Sequence, residues 1–273
     1  MIRKPSLLLL PGAVVLVLGF LIPSLMMLFS PPGTGVTEVF ARLGAMLTDP
    51  YDLTIMGRTL IYGLIVTAIC ILVGFPIAYL LARSKSRYAG IWLALAIFPL
   101  LLSTVVRTFG WLVILGSNGA IGQLIVALGL ADRGPQLLYT PLAVILGMTQ
   151  LFLPLAIISC YSAVAQVDNS LDDAARGLGA TRSRTLWSIV IPLSLPGIVV
   201  AATLVFAGAT TAYTTPYLLG GTGQRVLATQ LFTYASVTVN WAAASATALI
   251  MTVLVFLVSG LSAALASRKG SIE

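Results

Sequence analysis

The chain has 273 residues, of which 59% are hydrophobic and only 8% are charged, and its net charge is +7. A soluble domain carries about 25% charged residues, so this chain has too little polar surface to coat a water-soluble globule. The composition therefore predicts an all-α membrane protein with several transmembrane helices.

Long uncharged apolar stretches recur along the whole chain. A helix needs roughly 20 apolar residues to cross a hydrocarbon core of about 30 Å. We predict six transmembrane helices in a single domain that covers residues 1–273, at about 7–29, 59–82, 91–114, 140–163, 195–218 and 243–266. The first stretch is too long for the apolar part of a signal peptide, so we interpret it as a retained span.

The apolar stretch at 108–131 does not fit a full crossing. The sequence Gly116-Ser117-Asn118-Gly119 breaks it, and the remainder, 120–131, is too short to span the membrane. We predict that this remainder lies at the outer interface.

Charge sets the predicted orientation. If the N-terminus is inside, ten of the 15 Lys and Arg lie on the cytoplasmic side, and the other five lie outside: Arg42, Arg58, Arg107, Arg133 and Arg225. Cytoplasmic loops carry the basic excess in membrane proteins, so both termini are predicted to be cytoplasmic. The basic residues are scattered over short segments, which favours contact with lipid headgroups over a nucleic-acid partner.

The residue types that carry most catalytic and metal chemistry are scarce. Cys70 and Cys160 both fall inside apolar stretches and are predicted to be small buried hydrophobic residues. The sequence has no His and no acidic cluster with metal-ligand spacing. We predict no catalytic residue, no metal site and no cofactor in this chain.

A polar loop at 164–194 separates the fourth and fifth predicted spans. Ser170 is expected to cap a helix there, with Asp173 completing a capping box. Gly177 and Gly179 are expected to end that helix. Its apolar stripe has small residues at the centre and comprises Leu171, Ala174, Ala175 and Leu178.

A second helix is predicted to follow in the same loop. Thr181 is expected to cap it, and Pro192 and Pro196 are expected to end it before the fifth span. Two short helices joined by a glycine bend form a compact protrusion whose alanines allow close approach. This protrusion is either a docking surface for a partner protein or a hairpin lying on the inner leaflet.

The spacing of this loop resembles the EAA motif of permease subunits in binding-protein-dependent type I ABC importers. That motif is Glu-Ala-Ala, three residues, Gly, nine residues, Ile, one residue and Leu-Pro. Here Asp173 stands for the Glu, Ala174, Ala175, Gly179, Ile189 and Pro192 are in register, and Ile191 replaces the Leu. The resemblance implies that an ATPase docks on Asp173, Ala174, Ala175, Leu178, Gly179, Ile189 and Pro192.

The resemblance also implies the partners and the location. Six spans with cytoplasmic termini fit the type I permease fold in the bacterial inner membrane. Such a permease works with two copies of an ATPase that binds ATP and Mg, with a second permease, expected to be a different chain, and with a periplasmic solute-binding protein. This sequence has no G-x-x-x-x-G-K-[ST] phosphate loop, so the ATPase is expected to be another chain.

Three outer segments resemble the spermidine/putrescine branch of these permeases: 105–111, 216–221 and Asn240-Trp241. The resemblance implies a polyamine or a related small amine as the solute. The predicted spans contain no Asp or Glu, however, and Arg107 favours an anionic or amino-acid-like solute. These alternatives stay open.

Polar residues inside the predicted spans are candidates for the solute path. Thr203, Thr210, Thr214 and Tyr217 would share one face of a continuous fifth helix, and Arg107 and Gln150 are further candidates. Alternatively, the threonines bond their own helix carbonyls and Arg107 extends to the headgroups.

Two other functions compete with the importer as explanations of the sequence. An ion-coupled secondary transporter would need ionisable residues at mid-membrane, and a membrane enzyme would need a catalytic pair near an interface. Apart from Arg107, the spans offer no such residue, and capping explains Asp172-Asp173.

Overall fold

The computed structural model describes residues 11–12, 14–29, 31–84 and 86–269, with side chains as far as residue 262. Residues 7–10 and 13 of the first predicted span, Lys85 and the side chains at 263–266 of the last predicted span lie outside this description. Every regular element in the described part of the chain is helical, as the composition predicts.

Most of the helices are joined by connections of a few residues, and the longest connections are 128–140 and 212–226. In chain order they are α1 (Val14–Phe29), α2 (Val36–Met46), α3 (Pro50–Ala82), α4 (Ala89–Leu101), α5 (Thr104–Leu115), α6 (Ala120–Ala127), α7 (Pro141–Ala165), α8 (Asn169–Gly177), α9 (Arg182–Thr211), α10 (Leu227–Phe232) and α11 (Trp241–Lys269). Among the described residues, five segments are long and apolar enough to cross a membrane: α3, α5 with α6, α7, α9 and α11. The helices α1 and α4 are apolar but shorter.

One compact unit comprises the chain up to Ile55 together with Gln230–Val253. In it, the Ser245 hydroxyl of α11 donates a 2.6 Å hydrogen bond to the Met27 carbonyl of α1. The Arg42 guanidinium of α2 donates to the Tyr234 hydroxyl at 3.2 Å. Polar side chains thus tie helices that are distant in sequence.

The second unit comprises Met56–Thr229 and the chain from Leu254 onward. Its helices pack closely through small residues: Ala78 of α3, Cys160 of α7 and Ala201 of α9 form one buried cluster. A Cβ added at Gly63 of α3 would lie 2.9 Å from Cγ2 of Thr210, so only glycine fits at this crossing. Cys70 and Cys160 are both free and buried, which confirms the prediction for them.

The third predicted span, 91–114, is interrupted rather than continuous. The last turn of α4 is a 3₁₀ turn, Phe98–Leu101, and Leu102 and Ser103 are extended before α5 begins. Pro99 cannot donate a hydrogen bond to the preceding turn, and its ring crowds that turn's carbonyl, which disfavours a regular α-helical turn just before the break.

The fifth predicted span, 195–218, is also interrupted. The helix α9 ends at Thr211, and Ala212 is extended, with ψ of 124°. Pro216 lacks the N–H that would bond to the Ala212 carbonyl in a continuous helix, so continuation through this site is disfavoured. A π-helical segment at Pro216–Gly220 follows.

The prediction that Pro192 and Pro196 end the second loop helix is wrong, because α9 continues through both prolines. A π-helical segment, Leu186–Val190, precedes them, and within it the N–H of Ile191 bonds to the Leu186 carbonyl. The wider turn makes room for the ring of Pro192 and for its missing donor. The polar loop and the fifth span therefore share one uninterrupted helix.

Candidate coupling knob and solute cavity

The first loop helix, α8, begins at a different cap from the predicted one. The Asp168 carboxylate, not the Ser170 hydroxyl, is the N-cap, and it accepts the backbone N–H of Ser170 at 2.9 Å. Ser170 and Asp173 lie within the helix. The hydrogen bond from the Ser170 backbone holds the pKa of Asp168 below its ordinary value, because it favours the ionised carboxylate.

The end of α8 is the predicted glycine turn. Gly179 has a φ of +86°, its N–H donates to the Arg176 carbonyl at 2.9 Å, and the Ala180 N–H donates to the Ala175 carbonyl at 3.0 Å. This pair of bonds is a Schellman motif, which satisfies the last carbonyls of the helix. Thr181 then caps α9 as predicted, accepting the Arg184 N–H at 3.3 Å.

The segment 168–190, which we call the knob, presents apolar side chains on its surface. Leu178 is 91% exposed at its tip, and Trp187 is 68% exposed. A depression of about 320 Å³ beside Leu178 is lined by Ala175, Gly179 and Ile189 among others.

The remaining predicted coupling residues lie outside this depression. Asp173 and Ala174 are exposed on α8, and Pro192 is exposed beyond the π-helical segment of α9. Four of the seven residues, namely Ala175, Leu178, Gly179 and Ile189, are thus brought together around one concave surface.

Arg83, just past the end of α3, holds the base of the knob. Its Nη1 donates to the Val167 carbonyl at 2.9 Å and also to Asn169 Oδ1. Its Nε lies 3.0 Å from Asp172 Oδ2, an ion pair by distance whose Nε–H is not aligned as a hydrogen bond. The sequence predicted Arg83 only as a cytoplasmic charge and Asp172 only as a favourable charge near the helix start.

A cavity of about 490 Å³, which we call the Arg107 cavity, lies where the two predicted spans are interrupted. Its lining includes Thr104 and Arg107 of α5 and Thr211, Tyr213 and Thr214 at the end of α9 and just after it. Non-helical backbone is tolerated at membrane depth where it is buried in protein or lines a cavity. The two breaks therefore mark this location as a candidate solute site.

The Arg107 side chain is unusual within this cavity. Its Nε and Nη1 atoms are buried and have no hydrogen-bond partner among the described residues. A buried guanidinium normally pairs with a carboxylate or with carbonyl oxygens.

The structure separates the predicted path residues. Thr214 and Arg107 line the Arg107 cavity, whereas Gln150 lies half-buried on α7 outside its lining. The Thr210 hydroxyl is buried and donates to the Phe206 carbonyl at 3.0 Å, as the alternative interpretation expected. Thr203 lies 3.3 Å, oxygen to oxygen, from Ser262.

The single face predicted for the fifth span is not formed, because the helix stops before Thr214. Tyr217 lies in the segment after the break, where its ring packs 5.5 Å from that of Tyr213. The sequence did not indicate Thr211 or Thr104 as cavity residues. The available signals were Pro99 and Pro216, each a few residues from a break.

Known proteins resemble this chain over most of its length. It is 30% identical over 211 residues to the spermidine/putrescine transport system permease protein PotB of Haemophilus influenzae, covering 77% of this chain and 74% of that protein. It covers 62% to 64% of other relatives of that name. It is 31% identical over 166 residues to the molybdenum transport system permease protein ModB of Mycobacterium bovis, covering 61% of each.

The fold also matches that of a solved importer. A chain of the bacterial alginate ABC transporter, in complex with its alginate pentasaccharide-bound periplasmic protein, superposes with a TM-score of 0.76. The match covers 96% of this chain and 93% of that chain at 17% sequence identity. The family model described as "Binding-protein-dependent transport system inner membrane component" matches residues 74–271. The chain therefore belongs to the family of inner membrane components of binding-protein-dependent transport systems.

Proposed function

We propose that this chain is the permease subunit of an ABC importer for a polyamine or a related small amine. It forms the solute path together with a second permease, expected to be a different chain. A periplasmic binding protein delivers the solute, and two copies of an ATPase that binds ATP and Mg drive transport. Both termini face the cytoplasm.

The surface of the knob carries this proposal. Leu178 and Trp187 are exposed, yet each of the two helices that hold them has an N-cap, and a Schellman motif forms the turn between them. An ordered protrusion that exposes a leucine and a tryptophan beside a concave depression is typical of a protein interface rather than of a connecting loop. The names of the PotB relatives and the alginate importer support the same assignment.

The route from the knob to the solute path is short and continuous. The helix α9 runs from Arg182 in the knob to Thr211 at the Arg107 cavity. Arg83 ties the base of the knob to the end of α3. Movement imposed on the knob by a closing ATPase pair would therefore reach the helices around the cavity.

Substitution of Ala175 by Arg tests the docking role. Ala175 lines the depression beside Leu178, and an arginine there would fill the concave surface. We expect Ala175→Arg to leave the amount of inserted protein unchanged, while ATPase copurification and solute uptake fall at least tenfold.

The matched control is Ser86→Arg, which adds the same side chain to an exposed position in the 83–88 loop on the same predicted side. This control should retain both ATPase copurification and solute uptake. Normal uptake by a well-inserted Ala175→Arg variant would contradict the proposal.

Substrate class is tested separately, by copurifying the complete importer with its binding protein and measuring which amines that binding protein retains. Retention of a diamine or triamine at micromolar concentration supports the amine assignment. Retention of an amine-free solute in preference to every amine would overturn it.

A further inference from the structure

We infer that the Arg107 cavity binds a carboxylate group of the transported solute, so that the solute is a small amine that also carries a carboxylate. This inference deepens the proposed function by narrowing its solute class, and it rests on that function.

The first argument is the state of the guanidinium. Nε and Nη1 of Arg107 are shielded from solvent without any hydrogen-bond acceptor among the described residues. No carboxylate or carbonyl of the described residues therefore offsets the charge of the guanidinium. A carboxylate is the anionic group that arginine binds most readily through charge-assisted hydrogen bonds.

The second argument is the charge of the lining. No Asp or Glu is among the described residues that line the cavity, and its other polar residues are threonines and Tyr213. A solute with only positive groups would therefore meet the Arg107 charge with no protein carboxylate to offset it. A solute with one carboxylate would neutralise that charge.

The third argument is the surrounding dipoles. The first turn of α5 begins at Thr104, at the edge of the cavity, and its N-cap residue Ser103 makes no side-chain cap. The positive end of the helix dipole and the arginine thus favour negative charge at the same place.

The remaining lining offers groups that an ammonium can contact. Tyr213 provides an aromatic ring, and the Thr211 and Thr214 hydroxyls provide acceptor lone pairs. The volume of about 490 Å³ is within the range of small-molecule sites. The lining therefore suits a short solute that is anionic at one end and cationic at the other.

The test uses the complete importer, with both permeases and the ATPase copies, in lipid nanodiscs without the binding protein. Binding of two radiolabelled probes of equal carbon number is compared: 4-aminobutanoate and 1,4-diaminobutane. We expect the amino carboxylate to bind at least tenfold more tightly than the diamine.

Variants then test whether Arg107 causes the preference for the amino carboxylate. Arg107→Gln should remove it, a loss of about tenfold, whereas Arg107→Lys should keep part of it because the charge remains. Arg133→Gln, at an exposed outer arginine, should behave as the unmodified protein does. The Arg107→Lys variant keeps the test valid if the Gln variant does not assemble.

Two results would overturn the inference. The first is equal or tighter binding of the diamine, and the second is unchanged probe binding in Arg107→Gln. If that variant also has a lower unfolding temperature of the permease pair, the guanidinium is assigned to a carboxylate of the second permease.

Failure of this inference is distinguishable from failure of the proposed function. If the preference is absent while Ala175→Arg still abolishes uptake, only the solute class is wrong. If Ala175→Arg imports normally, the docking role is wrong, and the binding preference is still measurable.

Discussion

The Nε atom of Arg83 lies 3.0 Å from Oδ2 of Asp172, and the two side chains are only 13% and 10% exposed. This ion pair joins the end of α3 to the knob, across 89 positions of sequence from residue 83 to residue 172. The charge pair lies at the base of the knob, whereas the apolar side chains of Leu178 and Trp187 are exposed on the knob's surface.

Breaking this pair should loosen the knob. Asp172→Asn leaves the Arg83 charge partly buried without its counter-charge, and leaving a buried polar group without its partner costs about 1–3 kcal/mol. We expect faster hydrogen exchange at 167–172 and a lower unfolding temperature. The control is Asp173→Asn, one position along and exposed, which should change neither. Equal effects of the two substitutions would refute the role of the pair.

The glycine turn should depend on backbone conformation and not on space. Gly179 has a φ of +86° with no atom near its missing Cβ, whereas Gly177 is helical and equally open. Gly179→Ala should destabilise the knob by about 1–2 kcal/mol, the cost of a left-handed conformation for a residue with a Cβ. Gly177→Ala should be neutral or slightly stabilising. Hydrogen exchange at 175–181 measures the effect of each substitution. A larger effect of Gly177→Ala than of Gly179→Ala would contradict the role of the turn.

The Asp168 cap should fail at low pH. The pKa of Asp168 is held below its ordinary value of 3.8, so its stabilising effect is present above that value and is lost as the pH falls through the lower folded-state pKa. We expect exchange of 169–172 to rise as the pH is lowered below about 4. Asp168→Asn keeps a cap without a titrating group, and its exchange should not show this rise. A rise of the same size in both proteins would exclude Asp168 as the cause.

Two threonines of the predicted path should differ in their effect on uptake. Thr214 lines the Arg107 cavity, whereas Thr203 faces the Ser262 hydroxyl away from that lining. Thr214→Val keeps the shape and removes the hydroxyl, and it should lower uptake several-fold. Thr203→Val should leave uptake within about twofold, because one partly buried hydrogen bond contributes only about 1 kcal/mol. A larger loss of uptake from Thr203→Val than from Thr214→Val would favour the path along one face of the fifth span that the sequence predicts.

Features set by a few neighbouring residues were predictable from the sequence. The Gly179 turn and the Thr181 cap require only a residue tolerant of positive φ and a hydroxyl before a helix. The choice between Asp168 and Ser170 was not fixed locally, since either side chain can cap. Arg83 contacts Val167, Asn169 and Asp172 in the observed arrangement, and this tertiary contact favours the earlier start.

The breaks in the third and fifth spans lie beyond local prediction. Uniform hydropathy predicts continuous helices there, and the prolines at 99 and 216 stand a few residues from the extended positions. By contrast, Pro192 and Pro196 gave a strong stop signal that a π-helical segment absorbed. Proline indicates where a helix is weakened, but neighbouring packing decides whether it bends, widens or ends.

The absence of a stop at Pro192 has a mechanical meaning. The 30 residues of α9 form a rod of roughly 45 Å from the knob to the edge of the Arg107 cavity. Because α9 is not interrupted, a rotation at its knob end would reach Thr211 along a single helix. Tilting of the knob and opening of the cavity would then be a single movement. The partner protein that turns the knob would also set the time at which the solute is released.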